Sequence, residues 1–239
     1  MYIYRNLESS IMKYLSAPEI LVISGPRQSG KTTLMLHLHN SMENSTYMSF
    51  EDNDLRELFD NSIKDFIEVY IQPYKTIFLD EFQYSRHGGR NLKYVHDTLR
   101  EKGKVNKIIV SGSSSIDLII HAVKYLVGRI FVFNLYPLSF SEFMRYKNRH
   151  LYTVMEEKTP EKWNEILPQF SEMIKPFFLD FINFGGFPRV ALCESSEEKI
   201  MVLKNIYQTY LLRDVRDLID ISDDYKMQVL VKARGFEIL

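Results

Sequence analysis

The chain has 239 residues, of which 45% are hydrophobic and 26% charged, and its 30 Lys and Arg against 31 Asp and Glu give a net charge of −1. This near-neutral globular composition excludes a dedicated nucleic-acid coat protein, and the single cysteine, Cys193, excludes an internal disulfide framework. Residues 1–10 do not resemble a secretory signal, and no apolar stretch reaches the ~18 residues that a membrane helix needs. We therefore expect a cytoplasmic protein with no membrane association.

The first two thirds of the chain alternate short apolar runs with helical patterns. The predicted strands are Ile20–Ile23, Tyr47–Phe50, Thr76–Leu79, Lys107–Val110 and Ile130–Leu135. Helical patterns lie at 30–42, 55–59, 63–70, 92–99 and 116–123. Apolar strands separated by helices indicate a parallel sheet that is covered on both faces. We expect one α/β domain over residues 1–146.

Residues 147–239 show helical patterns and no convincing strand. A capping box, Ser139 to Glu142, opens a helix at the end of the first region. The helices predicted beyond it are Pro160–Asn183, Glu197–Arg213 and Asp223–Arg234, and the run Gly185–Pro188 predicts a tight connection. We expect this region to be a helical lid or the start of another domain.

A phosphate-binding loop follows the first strand. The pattern G-x-x-x-x-G-K-[ST] is formed by Gly25, Pro26, Arg27, Gln28, Ser29, Gly30, Lys31 and Thr32. Its glycines let backbone N–H groups point at phosphate oxygens, the next helix adds its N-terminal dipole, and the Lys31 ammonium reaches the β- and γ-phosphates. The Thr32 hydroxyl can bind Mg²⁺. The sequence therefore predicts binding of ATP with Mg²⁺.

Two carboxylates, Asp80 and Glu81, end the third strand. Ligands of open parallel sheets bind at the carboxyl ends of the strands. Asp80 is the predicted partner of the magnesium shell, and Glu81 is the predicted base that orients and deprotonates an attacking water. The pair turns a nucleotide-binding prediction into one of hydrolysis.

Serines and an arginine follow in the next two strands. In a sheet ordered 5-1-4-3-2 the fourth strand lies between those bearing the loop and the acids, so Ser111 or Ser113 could hydrogen-bond the γ-phosphate or the lytic water. Both serines are equally compatible with ordinary helix N-caps. Arg129 is either an arginine finger toward a neighbouring subunit or a surface arginine neutralised by a carboxylate. Weaker candidates for a lid contact are Arg189, Arg213 and Arg216.

The order of these motifs resembles the AAA-type branch of P-loop ATPases. A set of shorter motifs is similar to those of a widespread prokaryotic family of AAA-type ATPases, whose members carry a C-terminal domain of unknown function. These motifs are Asp80–Gln83, Ser111–Ser114, Gly128-Arg129, Leu135–Phe143 and Gly185–Pro188. The resemblance implies a three-layer α/β/α fold, nucleotide binding by residues 25–33, which adds Thr33 to the site, and hydrolysis through Asp80 and Glu81. It also implies a winged-helix segment and a part similar to PD-(D/E)XK nucleases beyond this chain. We therefore expect a fragment of a longer protein or a short member.

Three functions share such a loop. The first is an ATPase coupled to a C-terminal effector or partner, and the second is a slowly hydrolysing nucleotide switch. A small-molecule kinase is third, since it has little use for Glu81. No guanine-binding N-K-x-D pattern follows Asn106-Lys107. DNA remains a possible partner through the basic run Arg86–Lys93, for which solvated charge is the simpler interpretation.

Overall fold

Five parallel strands form one sheet in the order β2-β3-β4-β1-β5, which confirms the predicted order 5-1-4-3-2. The computed structural model describes residues 1–103, 106–113, 125–157 and 168–210. The strands are β1 (Ile20–Gly25), β2 (Ser45–Ser49), β3 (Thr76–Asp80), β4 (Lys107–Ser113) and β5 (Ile130–Asn134). β1 is buried along its whole length and pairs with β4 and β5, as expected for a central strand with both faces covered.

Helices cover both faces of this sheet. They are α1 (Asn6–Lys13), α2 (Lys31–Ser41), α3 (Asn53–Asn61), α4 (Ile63–Phe66) and α5 (Gly88–Glu101), with a π-helical turn at Ile67–Ile71 and a 3₁₀ turn at Phe82–Tyr84. Successive β1 residues point to opposite faces, so Ile20 and Val22 join one core cluster while Leu21 and Ile23 join the other. The two clusters are the interlayer cores of a three-layer α/β/α fold.

The chain divides into two compact units, Met1–Pro137 and Leu138–Leu239. The first domain was expected to extend to residue 146, whereas the second unit starts at Leu138 and opens with the capped helix Phe140–Lys147. In that helix the predicted capping box is present, with the Ser139 hydroxyl accepting from the Glu142 N–H and the Glu142 carboxylate accepting from the Ser139 N–H. This box satisfies two backbone donors that would otherwise be orphaned at the start of the helix.

The described helices of the second unit continue with Arg149–Glu157, Pro168–Phe184, Pro188–Leu192 and Ser196–Tyr210. The helices Pro168–Phe184 and Ser196–Tyr210 correspond to the described parts of the predicted Pro160–Asn183 and Glu197–Arg213, whose residues 160–167 and 211–213 lie outside the described ranges. The predicted helices at 116–123 and Asp223–Arg234 lie outside the described residues. Among the helices of the described ranges, none combines the length and the hydrophobicity needed to cross a bilayer.

Two of the short motifs meet in the second unit. The Leu138 N–H donates to the Gly186 carbonyl over 2.6 Å. A Cβ at Gly186 would lie 2.2 Å from the Leu138 carbonyl oxygen, so only glycine allows this approach. Phe181 then packs against Phe140 and Phe143, with ring centroids 5.4 Å away in both pairs. Residues 138–143 and Gly186 are therefore parts of one packing arrangement within the second unit.

Candidate functional site

The phosphate loop connects the buried end of β1 to the start of α2. Gln28 and Gly30 both have left-handed backbone, with φ of 61° and 98°. Gly25 is packed so closely that a Cβ would lie 2.1 Å from the Leu135 carbonyl oxygen. Gly25 is thus required by close approach and Gly30 by its positive φ, which explains the glycine spacing of the sequence pattern.

Lys31 folds over the loop. Its side chain is 6% exposed, and its ammonium donates to the Gly25 carbonyl over 2.9 Å and to the Pro26 carbonyl over 3.0 Å. Thr32 and Thr33 lie exposed in the first turn of α2. A cation and two accessible hydroxyls therefore stand at one helix N-terminus, where an anion is favoured.

The Ser29 hydroxyl is a buried polar group inside the loop. It is fully buried, and in the part of the chain that the structure describes it has no hydrogen-bond partner. Buried hydroxyls are normally hydrogen-bonded, so an unpartnered one calls for an explanation. An oxygen-rich ligand seated in the loop would give this group an acceptor, so the residues present fit a phosphate.

Asp80 is a buried carboxylate that several protein donors hold. It is 1% exposed. Its Oδ2 accepts from the Tyr47 hydroxyl over 2.7 Å, and its Oδ1 accepts from the Glu81 N–H over 2.9 Å and from the Ser111 hydroxyl. Burial, and then the hydrogen bond to Asp80, raise the pKa of Tyr47 well above its usual value. The phenol therefore acts here as a neutral donor.

The number of donors bears on magnesium binding. An ionised carboxylate offers about four lone-pair sites, and these three donors leave roughly one for a further partner. Mg²⁺ is typically bound through one or two carboxylates together with phosphate oxygens and water. In the described ranges no group of three or more His, Cys, Asp or Glu forms a cation site of its own. Asp80 and Thr32 thus fit a magnesium ion that arrives with a phosphate ligand.

Glu81 has an unusual backbone conformation. Its φ of 54° places a non-glycine residue in the left-handed region, which costs about 1–3 kcal/mol and is frequent at functional sites. Its carboxylate accepts a hydrogen bond from the Gln83 side-chain amide. The structure therefore places Glu81 beside Asp80, at the carboxyl edge of the sheet, with its side chain held by a neighbour.

The basic run after Glu81 is fixed to α3. The Asp60 carboxylate accepts from the Ser85 hydroxyl and from the backbone N–H groups of Arg86 and His87, over 2.5, 2.9 and 3.2 Å. The side chains of Arg86, His87 and Arg90 remain exposed. The loop is ordered by its backbone while its charges face solvent.

The two predicted serines have different surroundings. Ser111 is fully buried and donates to Asp80, and in the register of the sheet it lies opposite Ile23. Ser113 lies opposite Gly25, at the first residue of the phosphate loop. Both positions are at the carboxyl edge of the sheet, and the Ser111 hydroxyl contacts the acidic pair through Asp80.

Arg129 lies at the other edge of the sheet. Its carbonyl accepts from the N–H of Ile20, the first residue of β1, so it is far from Gly25 at the end of that strand. The Arg129 Nε donates to Asp97 Oδ1 over 3.0 Å and Nη2 to Oδ2 over 3.4 Å. Partial burial favours the neutral form of Asp97, but the hydrogen bonds from Arg129 and His96 outweigh it and lower the pKa of Asp97. Within one chain Arg129 is an ion-pair partner, and a role toward a neighbouring copy stays a prediction.

The weaker arginine candidates lie in the second unit or outside the described residues. Arg189 is exposed in the helix Pro188–Leu192 of the second unit. Arg213 and Arg216 lie outside the described residues.

Sequence reasoning missed two residues that contact the site. Tyr47 sits in β2, and Arg5 precedes α1 yet donates to the Ser29 carbonyl over 2.7 Å. A phenol on the strand next to β3 was a weak available signal for Tyr47. Arg5 had no local signal, because its partner is distant in the chain.

Comparison with known proteins agrees with this geometry. A family model described as an AAA domain matches residues 17–144, which is more than half of the chain. An uncharacterized protein of Methanocaldococcus jannaschii is 26% identical over 219 residues, covering 89% of this chain and 45% of the relative. An uncharacterized ATP-binding protein of the same organism is 38% identical over 76 residues, which are 30% of this chain and 21% of that protein.

Among solved structures, the Walker-type ATPase of Pyrococcus abyssi is similar with a TM-score of 0.48 and 16% identity, covering 90% of this chain and 76% of that one. The chain spans about half the length of the curated relatives that it matches along most of its own length. The matched region contains the phosphate loop, the acidic pair, Ser111 and the entire five-stranded sheet. The chain therefore belongs to the AAA domain family.

Proposed function

We propose that this protein binds ATP with magnesium and hydrolyses it at the carboxyl edge of β1, β4 and β3. The observation that carries the proposal is the buried Asp80 carboxylate, which accepts a hydrogen bond from the Ser111 hydroxyl of β4. β4 lies between β3, which ends in Asp80, and β1, which leads into the phosphate loop. A buried carboxylate is costly unless it is compensated, and here it is held where a cation with phosphate would arrive.

The residues of the loop would bind the polyphosphate. Backbone N–H groups and the α2 N-terminus favour its negative charge, and the Lys31 ammonium would exchange the Gly25 and Pro26 carbonyls for phosphate oxygens. Magnesium, when bound, neutralises charge on the β- and γ-phosphates, and Thr32 and Asp80 would hold it. The Ser29 hydroxyl would gain an acceptor.

Glu81 would activate water. As a carboxylate beside Asp80, it can orient a water molecule and accept its proton as the water attacks the γ-phosphorus. The bond from water oxygen to phosphorus forms, the bond to the β–γ bridging oxygen breaks, and ADP leaves with that electron pair. Ser111 or Ser113 would hydrogen-bond the γ-phosphate or the water from the neighbouring strand.

The Glu81→Gln variant tests the proposal, because it keeps the size and the polar contacts of the side chain and removes the base. We expect ATP binding within about twofold of the wild type and turnover reduced at least ~100-fold. Glu43→Gln, an exposed change on the same domain, is the control. Unchanged turnover in Glu81→Gln would exclude Glu81 as the base, and absent binding in the wild type would exclude the whole proposal.

One contact favours the second function, a slowly hydrolysing switch. The Gln83 amide holds the Glu81 carboxylate, so the base must be released before it can meet water. Under this hypothesis Gln83→Ala hydrolyses ATP faster than the wild type in single-turnover measurements, and wild-type protein retains ADP. Equal or slower hydrolysis in the variant, with free ADP release, favours a steadily cycling ATPase coupled to an effector.

A further inference from the structure

A buried arginine joins the phosphate loop to the segment that leads into the second unit. Arg5 is 4% exposed although it precedes the first helix of the chain. Its Nη1 donates to the Ser29 carbonyl over 2.7 Å, and its Nη2 donates to the Tyr136 carbonyl. One guanidinium therefore spans two backbone segments that are more than 100 residues apart in the sequence.

Each of the two residues whose carbonyls accept from Arg5 lies next to a distinctive point of the backbone. Ser29 directly precedes Gly30, whose φ of 98° sets the entry into α2. Tyr136 directly precedes Pro137, the last residue of the first unit. A single side chain thus connects the Ser29 peptide with the peptide beside the junction.

A second set of contacts runs along the same route. The Leu135 N–H donates to the Ser24 carbonyl over 2.7 Å, at the end of β1. The Leu135 carbonyl lies so close to Gly25 that no Cβ fits between them. The start of the loop and the segment Leu135–Tyr136 are thus packed backbone against backbone, and packed interfaces of this kind transmit displacement rather than absorb it.

The chemistry of arginine suits a coupling role. Its planar guanidinium presents several N–H donors in a fixed fork, so two carbonyls bound to it hold a fixed mutual geometry. A lysine would keep the charge but would offer one rotating ammonium in place of the fork. Hydrogen bonds from a charged donor are worth more than neutral ones.

We propose that Arg5 is a positioning residue that couples occupancy of the phosphate loop to the conformation of the segment Leu135–Tyr136 and so to the junction at Pro137. The proposal rests on nucleotide binding at the loop, as proposed above, but not on hydrolysis. Ligand binding at Ser29–Lys31 would tighten the bridge, and the tightened bridge would order the peptide groups that precede the second unit.

Hydrogen–deuterium exchange of the full chain, with and without AMPPCP and Mg²⁺, tests this proposal. In the wild type we expect the nucleotide to slow exchange at least ~5-fold both in the loop and in the segment Leu135–Leu138. In Arg5→Lys the loop should still be protected, with nucleotide affinity reduced about 10-fold, a loss typical of one charged hydrogen bond. Protection of the segment should be lost. Arg100→Lys, an exposed change, is the matched control.

Each outcome decides between the two proposals. Protection of the wild-type loop without protection of Leu135–Leu138 overturns the coupling and leaves nucleotide binding intact. Equal segment protection in Arg5→Lys and the wild type also overturns it. Failure of the wild type to show any protection overturns nucleotide binding and the coupling together. The wild-type arm needs no variant, so misfolding of Arg5→Lys cannot shield the proposal.

Discussion

Removal of one hydroxyl, in Tyr47→Phe, tests whether donors from neighbouring strands hold Asp80. The Tyr47 hydroxyl is 2.7 Å from Asp80 Oδ2, while the ring packs against the core cluster between the sheet and α1 and α2. Phenylalanine keeps the ring and its contacts, so the buried apolar area hardly changes. The variant therefore isolates a single hydrogen bond to a buried carboxylate.

The expected magnitude follows from the burial of the acceptor. Asp80 is 1% exposed, so bulk water has little access to the freed oxygen. A hydrogen bond to a charged group contributes about 1.5–3 kcal/mol, and we expect the free energy of unfolding to fall by that amount without nucleotide. A bound magnesium ion supplies positive charge near the same carboxylate, so Mg²⁺ with ADP should stabilise Tyr47→Phe more than it stabilises the wild type.

Urea unfolding with and without Mg²⁺ and ADP measures both effects, and an unchanged m-value shows that the compactness of the two states is unaltered. Tyr94→Phe is the control, because Tyr94 is 42% exposed and its change should stay within about 0.5 kcal/mol. A loss below about 0.5 kcal/mol in Tyr47→Phe, or the same loss with and without nucleotide, would refute the reasoning.

Three further predictions concern other parts of the chain. Burial lowers the pKa of Lys107 from 10.5 to about 8, although the negative charge of Glu19 opposes this shift. Between pH 8 and 10.5 the unfolded state therefore binds more protons than the folded state. The wild type should therefore gain about 3 kcal/mol over Lys107→Met as pH rises from 8 to 10.5 in denaturation series, and a flat difference contradicts this. Gly186→Ala should lower the thermal midpoint more than Gly185→Ala, since the first meets a backbone oxygen at 2.2 Å and the second only carries a φ of 74°; the reverse order would refute the packing argument. Arg129→Ala should change stability by less than about 1 kcal/mol, yet abolish any rise of ATPase rate with protein concentration if Arg129 acts in a neighbouring copy; a retained rise excludes that role.

Local patterns predicted the sheet and the loop well. A buried parallel strand is a continuous apolar run, and the strands at 20–25 and 107–113 carry such runs. The loop was predictable because its pattern lies within eight consecutive residues, and the positive φ of Gly30 is a local need, although the close approach that requires Gly25 is to the distant Leu135 carbonyl. The capping box at Ser139 was predictable for the same reason, since its two partners are three residues apart.

Functional assignments depended on strand direction as well as motif. The residue order placed Asp80 at the carboxyl end of β3, the edge that also carries the loop. The same logic puts Arg129 at the amino end of β5, where it pairs with Asp97. The identity of that carboxylate required the structure, because Asp97 and Arg129 are far apart in the sequence.

The sequence by itself determined the positions of the strands and of the phosphate loop, because these depend on hydrophobic periodicity and on a short continuous motif, and the order of its motifs carried the resemblance that implied the family and the strand order. Tertiary structure alone decided which side chains support the site. Tyr47 reaches Asp80 from a different strand, and Arg5 reaches Ser29 and Tyr136 from the start of the chain. No periodic pattern encodes such contacts, since a single hydrogen bond between distant segments exists only after the sheet has brought its carboxyl edge together.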